Sequence, residues 1–133
     1  MGDKIMTPVV YQNRNGTESL WADHTIILNY PNGPTAVRWY QFDVTGGNFP
    51  AAPVQQEDWT NGNDGLWRWL PSIAVDQNGN TAIGYSTSSA SIFPSIRYAG
   101  RGFFLFGVAS LWRRLPTLFF GLCWWVSYKS LRH

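Results

Sequence analysis

The sequence predicts an all-β fold of antiparallel hairpins, and three observations carry that expectation. Aromatic residues make up 17% of the chain and charged residues only 14%, and the aromatics are interspersed with β-branched residues, which suit a pleated, half-buried surface. Gly, Pro, Asn, Ser and Thr recur at short intervals, as turns between short strands require. No segment before residue 101 keeps a helical hydrophobic period, so no helix is expected there. A chain of 133 residues suits one domain with a core of its own.

The elements follow in order. "TPVVYQN" (7–13) is a β-rich run, "RNGT" (14–17) a turn, and "ESLWADHTIILNY" (18–30) a long β-rich run. "PNGP" (31–34) breaks the chain, because Pro and Gly punctuate strands. "TAVRWYQFDV" (35–44) is the next strand, and "TGGNFPAAP" (45–53) is a loop kept irregular by Gly46, Gly47, Pro50 and Pro53. "VQQEDWT" (54–60) is a weak strand and "NGNDG" (61–65) another turn. "LPSIAVDQNGNTAIGYSTSSASIFPSIRYAGR" (70–101) reads as three strands with a tight turn between the first two.

Asn78-Gly79 is the strongest short-range hairpin signal, because a two-residue turn needs positive φ at both central positions. That turn would place Asp76 opposite Thr81, Val75 opposite Ala82, Ala74 opposite Ile83 and Ile73 opposite Gly84. One face then carries Ile73, Val75, Ala82 and Gly84, and the other Ser72, Ala74, Asp76, Thr81, Ile83 and Tyr85. Neither face is plainly polar, whereas an antiparallel sheet commonly keeps one face wet. A sheet apolar on both sides wants a layer on each, which stacked β-propeller blades supply better than a sandwich does. The expected architecture is therefore a partial β-propeller of about two to three blades, since a four-stranded blade takes ~40–50 residues. An echo, "LPSI" at 70–73 and "FPSI" at 93–96, suits strands of one blade or of neighbouring blades, each Pro marking the first residue of a strand.

Charge and composition change after Arg101. Residues 1–101 hold eight acids and six bases, and residues 102–133 hold four bases and no acid. We place a boundary there: 1–101 is the β-propeller part and 102–133 an apolar, basic tail. Its runs "FFLFGVASLW" and "LPTLFFGLCWWVSY" are split by Arg113, Arg114 and Pro116. Each is too short to span a bilayer as a helix, which needs ~20 apolar residues. The favoured reading is a tail out of frame after a truncation, helical or disordered. The alternative is an interfacial or re-entrant hairpin that touches a membrane.

"GDKIM" (2–6), "ESL" (18–20), "DHT" (23–25), "VRWYQ" (37–41), "WRWLPSIAVDQNGNTAIGYSTSS" (67–89) and "FPSIRYAGR" (93–101) carry a resemblance. In this order they are similar to a segment of large exported bacterial proteins with a β-propeller, distantly like sialidase-type and BNR-repeat propellers. That family's pattern runs through "VRWYE", a "RWMGSIAMDxxGNIALGYSxSS" hairpin and "YPSIRYTGR". The resemblance covers about residues 2–101. It implies a propeller fold and an exported parent, extracellular or at the cell surface, and it implies no reaction. The family continues past the "GR" into polar sequence, and residues 102–133 do not.

Function is read in the same order. A net charge of +2 is too small to imply a nucleic-acid or anionic-membrane partner, and no nucleic acid is expected. The one cysteine, Cys123, excludes an intrachain disulfide and reads as a small apolar group. "MGDKIMTPVV" lacks the apolar stretch of a signal peptide, so either the chain is cytoplasmic or Met1 is internal to a longer protein. Asp76–Thr81 has oxygen ligands at alternate positions, but Gly79 is fourth rather than sixth and Thr87 stands where a bidentate Glu is needed, so a hairpin turn is preferred to a calcium loop. His24 and His133 have no partner ligands at metal spacing. No metal, cofactor or catalytic residue is assigned. Arg38, Arg68, Arg97 and Arg101 suggest a carboxylate-binding cluster, and Trp21, Trp39, Tyr40, Trp59, Trp67 and Trp69 a sugar-stacking platform. Blade packing is the commoner fate of such aromatics. "WRW" (67–69) places both indoles on one face and Arg68 on the other. Arg68, Trp69 and Arg97 are the candidate ligand-binding residues. The expected function is a non-enzymatic binding or structural module whose partners are glycans or surface proteins. A sialidase-like glycoside hydrolase fragment and a protein held at a membrane through residues 102–133 are the alternatives.

Overall fold

The computed structural model describes residues 4–61 and 64–102, and the backbone of residues 125–128. The described chain is all-β and antiparallel. β1 (Val10–Arg14), β2 (Thr17–Ile27), β3 (Thr35–Asp43) and β4 (Gln55–Trp59) form one sheet in chain order. β5 (Trp67–Val75), β6 (Thr81–Ser89), β7 (Ile92–Arg101) and β8 (Trp125–Tyr128) form a second, again in chain order. The expected strands are all found to within a few residues. One short 3₁₀ turn, Thr45–Gly47, interrupts the loop after β3, where no helix was expected. No helix among the described residues is long and apolar enough to cross a membrane. β8 lies inside the segment that the sequence sets apart as a tail, and it pairs with β7 through Tyr98↔Tyr128 to Arg101↔Trp125. The rest of that segment, with Cys123 and both readings of the tail, lies outside the described residues, as does His133.

The Asn-Gly pairs at 15–16 and 78–79 make different turns. Asn15 and Gly16 both have positive φ, 51° and 89°, and join β1 to β2 as a two-residue turn with Arg14 opposite Thr17. At Asn78-Gly79 only Gly79 is left-handed, at φ 82°. Here the Asp76 carboxylate takes over the local geometry. Its Oδ1 accepts from the Asn78 and Asn80 amides at 2.8 Å each, and its Oδ2 accepts from the Asn80 side chain at 2.7 Å. The Gly79 amide closes a turn onto the Asp76 carbonyl at 3.0 Å, and the Asp76 amide donates to the Asn80 carbonyl at 2.9 Å. Asp at the first and Gly at the fourth position of such a turn give a three-residue loop with a bulge at the glycine.

The extra residue moves the register by one from the sequence expectation. Val75 faces Thr81, Ala74 faces Ala82, Ile73 faces Ile83 and Ser72 faces Gly84. A one-residue slip turns every side chain to the other face. Ile73, Thr81, Ile83, Tyr85 and Thr87 consequently share a buried face, while Ser72, Ala74 and Ala82 are exposed. This corrects the expectation of a layer on each side: among the described residues one side is covered and the other is exposed. The prolines are also displaced from strand starts. Pro71 sits inside β5 at a register shift between Trp69 and Ser72, where Leu70 has φ 49°, and Pro94 is the third residue of β7. A bulge is one of the few places in a sheet where the missing N–H is harmless.

The two covered faces meet in one seam. Trp21, Val37, Trp39 and Trp59 of the first sheet pack on Ile73, Ile83, Tyr85 and Ala99 of the second. Trp21 and Trp39 stack at 5.9 Å between centroids, and the Trp59 indole donates to the Tyr85 hydroxyl at 3.0 Å across the seam. Backbone-level stitches flank it. The Arg68 amide donates to Thr35 Oγ1 at 3.0 Å, and the Gln12 amide group donates to the Asp76 carbonyl at the hairpin tip. On the outer side of the first sheet, His24, Tyr40, Phe42 and Phe49 form a ladder of ring contacts at 5.6, 5.8 and 5.0 Å.

Candidate functional site

Sheet alternation decides where each candidate side chain goes. Arg68 pairs with Thr87 and Trp69 with Ser86, so the two lie on opposite faces of the second sheet. Arg97 pairs with Tyr85 and shares the Arg68 face. The structure thus brings Arg68 and Arg97 onto one face and leaves Trp69 on the other with Trp67. Trp67 is well exposed, whereas Trp21, Trp39 and Trp59 are in the seam and not on a platform. The four arginines do not converge. Arg38 is bound bidentately to Asp58 on the outer side of the first sheet, at 2.5 and 2.7 Å. Arg68 and Arg101 line different clefts at opposite ends of the seam, and Arg97 lines neither.

The first cleft, about 450 Å³, is lined by the end of β2, Pro34, Thr60 and the Gly65–Arg68 segment. Arg68 is only 2% exposed there and is occupied structurally. It bonds Asp64 at 2.6 Å and the Leu66 carbonyl at 3.3 Å, and its guanidinium lies 5.8 Å from the Tyr85 ring centroid. Burial pushes the Asp64 carboxyl up, but the bonds from Arg68, Asn61 and the Leu66 amide outweigh it and hold the group below its ordinary value.

The second cleft, about 380 Å³, is at the other end, beside the Asp76 turn. One row of its lining runs across β2, β3 and β4 of the first sheet: Trp21 faces Gln41 and Gln41 faces Gln55. The next row adds Gln12 opposite Ser19, and the Gln41 amide donates to Ser19 Oγ at 3.4 Å. Arg14, Asn15 and Thr17 from the first turn, and Gly79 and Arg101 from the second sheet, complete the wall. The Arg101 guanidinium lies 5.1 Å from the Trp39 ring centroid. The lining includes three Gln, one Asn, two hydroxyls and two Arg, with no acid. Groups of this kind can hold a ligand by hydrogen bonds and charge. Arg101 was a sequence candidate; Gln12, Arg14, Gln41 and Gln55 were not, because only the four-strand register gathers them.

Other candidates resolve into structure. The Asp76 carboxylate is held below its ordinary value first by the Asn80 side chain and then by turn amides, so the turn itself uses it. His24 is bonded to the Tyr40 hydroxyl at 2.9 Å. Asp23 is 1% exposed, opposite Trp39, with Oδ1 accepting from Thr7 at 3.1 Å and Oδ2 buried without a partner among the described residues. Burial pushes its carboxyl up, against the opposing pull of Thr7 and His24. The folded chain therefore holds this proton more tightly than the unfolded chain does, and stability falls as pH rises from the unfolded value through the raised folded value. Asp23→Asn keeps the Thr7 bond and removes the buried charge. It is expected to raise stability at pH 7 by about 1 kcal/mol, with the gain vanishing below about pH 4. Urea melts at the two pH values measure it.

Comparison with known proteins finds no matching family model, no matching curated protein and no matching solved structure.

Proposed function

We propose that the chain is a non-enzymatic binding or structural module, formed as two successive blades of a β-propeller from an exported bacterial protein. The observation that carries this reading is the repeat of one motif: two four-stranded sheets, each ordered as the chain runs, packed face to face. Propeller blades are four-stranded sheets set radially in this way. The apolar groups on the outward sides support it too. Tyr40, Phe42 and Phe49 on one sheet, and Ile96 and Tyr98 on the other, are where flanking blades would pack. The sialidase-like alternative draws no support from the arginines, which are spread over separate places.

The test is an assay of the purified chain, and of any longer protein that contains it, against a panel of glycosides that includes sialosides. Retention on immobilised glycan without release of sugar is the expected result. Turnover of any glycoside would overturn the reading.

A further inference from the structure

We propose that the cleft beside the Asp76 turn is a binding site for a carboxylate-bearing sugar, which deepens the binding-module reading and rests on it. At about 380 Å³ the cleft is at the size of small-ligand pockets, which begin at roughly 300 Å³. Its chemistry is one-sided. Arg14 and Arg101 supply positive charge, and no acid is among the lining residues. The nearest acids by register and sequence are Glu18, Asp43, Glu57 and Asp76; Glu18 accepts from the Tyr11 hydroxyl and the Gly46 amide, Asp43 from the Thr45 amide at 2.9 Å, and Asp76 from the Asn78 and Asn80 amides of its own turn. Arg14 makes no ion pair among the described residues, and its Nη1 lies 3.3 Å from the position a Cβ on Gly79 would take. The arginine is thereby set against the hairpin tip, at the cleft wall. A guanidinium fork in that position matches a carboxylate.

The remainder of the wall suits hydroxyl groups. Gln12, Gln41, Gln55 and Ser19 are amides and a hydroxyl, each able to donate and accept. A polyol presents donors and acceptors in the same alternation. Trp21 lines the cleft while only 4% exposed, and its indole N–H is buried without a partner among the described residues. A peptide strand is the less suitable occupant, because it binds by extending a sheet edge, and this wall is made of side chains projecting from a sheet face.

The experiment is titration calorimetry of the full chain with trigalacturonate, alongside a neutral galactose trisaccharide, a sulfated galactose oligosaccharide and a short polyglutamate peptide. Trigalacturonate is expected to bind at least tenfold more tightly than the neutral sugar, and more weakly as salt is raised. Arg14→Gln is expected to lower its affinity about tenfold or more. Gln55→Ala, on an edge strand and unable to disturb the hairpin tip, should weaken it severalfold, while Ile96→Ser on the far side leaves it unchanged. No binding of trigalacturonate, equal binding of the neutral sugar, or equal binding of the peptide would each overturn the assignment, as would Gln55→Ala and folded Arg14→Gln both binding like the parent. Binding of the sulfated sugar in place of trigalacturonate would overturn the carboxylate. Cleavage of the bound sugar would overturn the non-enzymatic reading and leave the cleft assignment standing.

Discussion

Trp39→Ala is expected to destabilise the protein by about 3–5 kcal/mol, the largest effect of any single truncation in the seam. Trp39 is 1% exposed and the largest side chain among the fully buried ones. It stacks on Trp21 within its own sheet, and the Arg101 guanidinium of the second sheet lies over its ring. Truncation removes the indole's transfer free energy and leaves a cavity that two rigid sheets close only in part. Small domains have about 5–15 kcal/mol of stability in all, so the variant should sit close to unfolding at room temperature. Equilibrium urea melts read this as a lower midpoint at an unchanged slope. A loss under about 1 kcal/mol would show that the seam is not the core.

Asp64→Ala is expected to cost about 3 kcal/mol, more than its own exposure suggests. The Asp64 side chain is 24% exposed, whereas the Arg68 side chain bonded to it is only 3% exposed. Removing the acid leaves a buried guanidinium with the Leu66 carbonyl and the Tyr85 ring face as its remaining partners. Breaking one side of a buried pair is costly because the other charge stays buried without compensation. The same pair predicts a pH response. Because folding lowers the Asp64 pKa, its contribution is complete above the unfolded value, and it is lost as pH falls through the lowered folded value. Parent and variant stabilities should converge as pH falls below the ordinary aspartate range, measured by thermal melts across the acid range. Arg68→Met, which removes the charge and retains bulk, should be the milder change. Equal losses at Asp64 and Arg68 would count against the buried-charge argument.

The strands were legible because they announce themselves locally. "TAVRWYQFDV" is apolar, β-branched and bounded by Pro34 and the Gly46-Gly47 loop, and β3 spans Thr35–Asp43. "WRW" alternates as any strand must, and Arg68 is buried between a well-exposed Trp67 and a half-buried Trp69. The hairpin register was not legible from Asn-Gly alone. The two pairs differ in what precedes them: Asp76 has a carboxylate that accepts from the Asn78 and Asn80 amides, whereas Asn13 Oδ1 accepts from the Gly16 amide alone in the first turn. One side chain thus chose between a two-residue and a three-residue loop, and the register moved with it. The site was less legible still. Arg14, Gln41, Gln55 and Arg101 are separated by up to most of the described chain and meet only through the pairing of both sheets. Of the expected set, Arg68 and Arg97 share a face and Trp69 lies on the other, because adjacent residues of a strand point apart.

Both sheets are ordered as the chain runs, and that order has a kinetic consequence. Each strand joins its predecessor across a short connection within β1–β4 and β5–β7, so zipping each sheet closes only small loops and costs little chain entropy per step. The junction between the sheets, tying Gln12 to the Asp76 tip and Trp59 to Tyr85, joins distant parts of the chain, and it is expected to form after the sheets that supply it. Removing the Tyr85 hydroxyl should therefore quicken opening while leaving the rate of collapse almost untouched, and weakening the Asp76 loop should slow collapse instead.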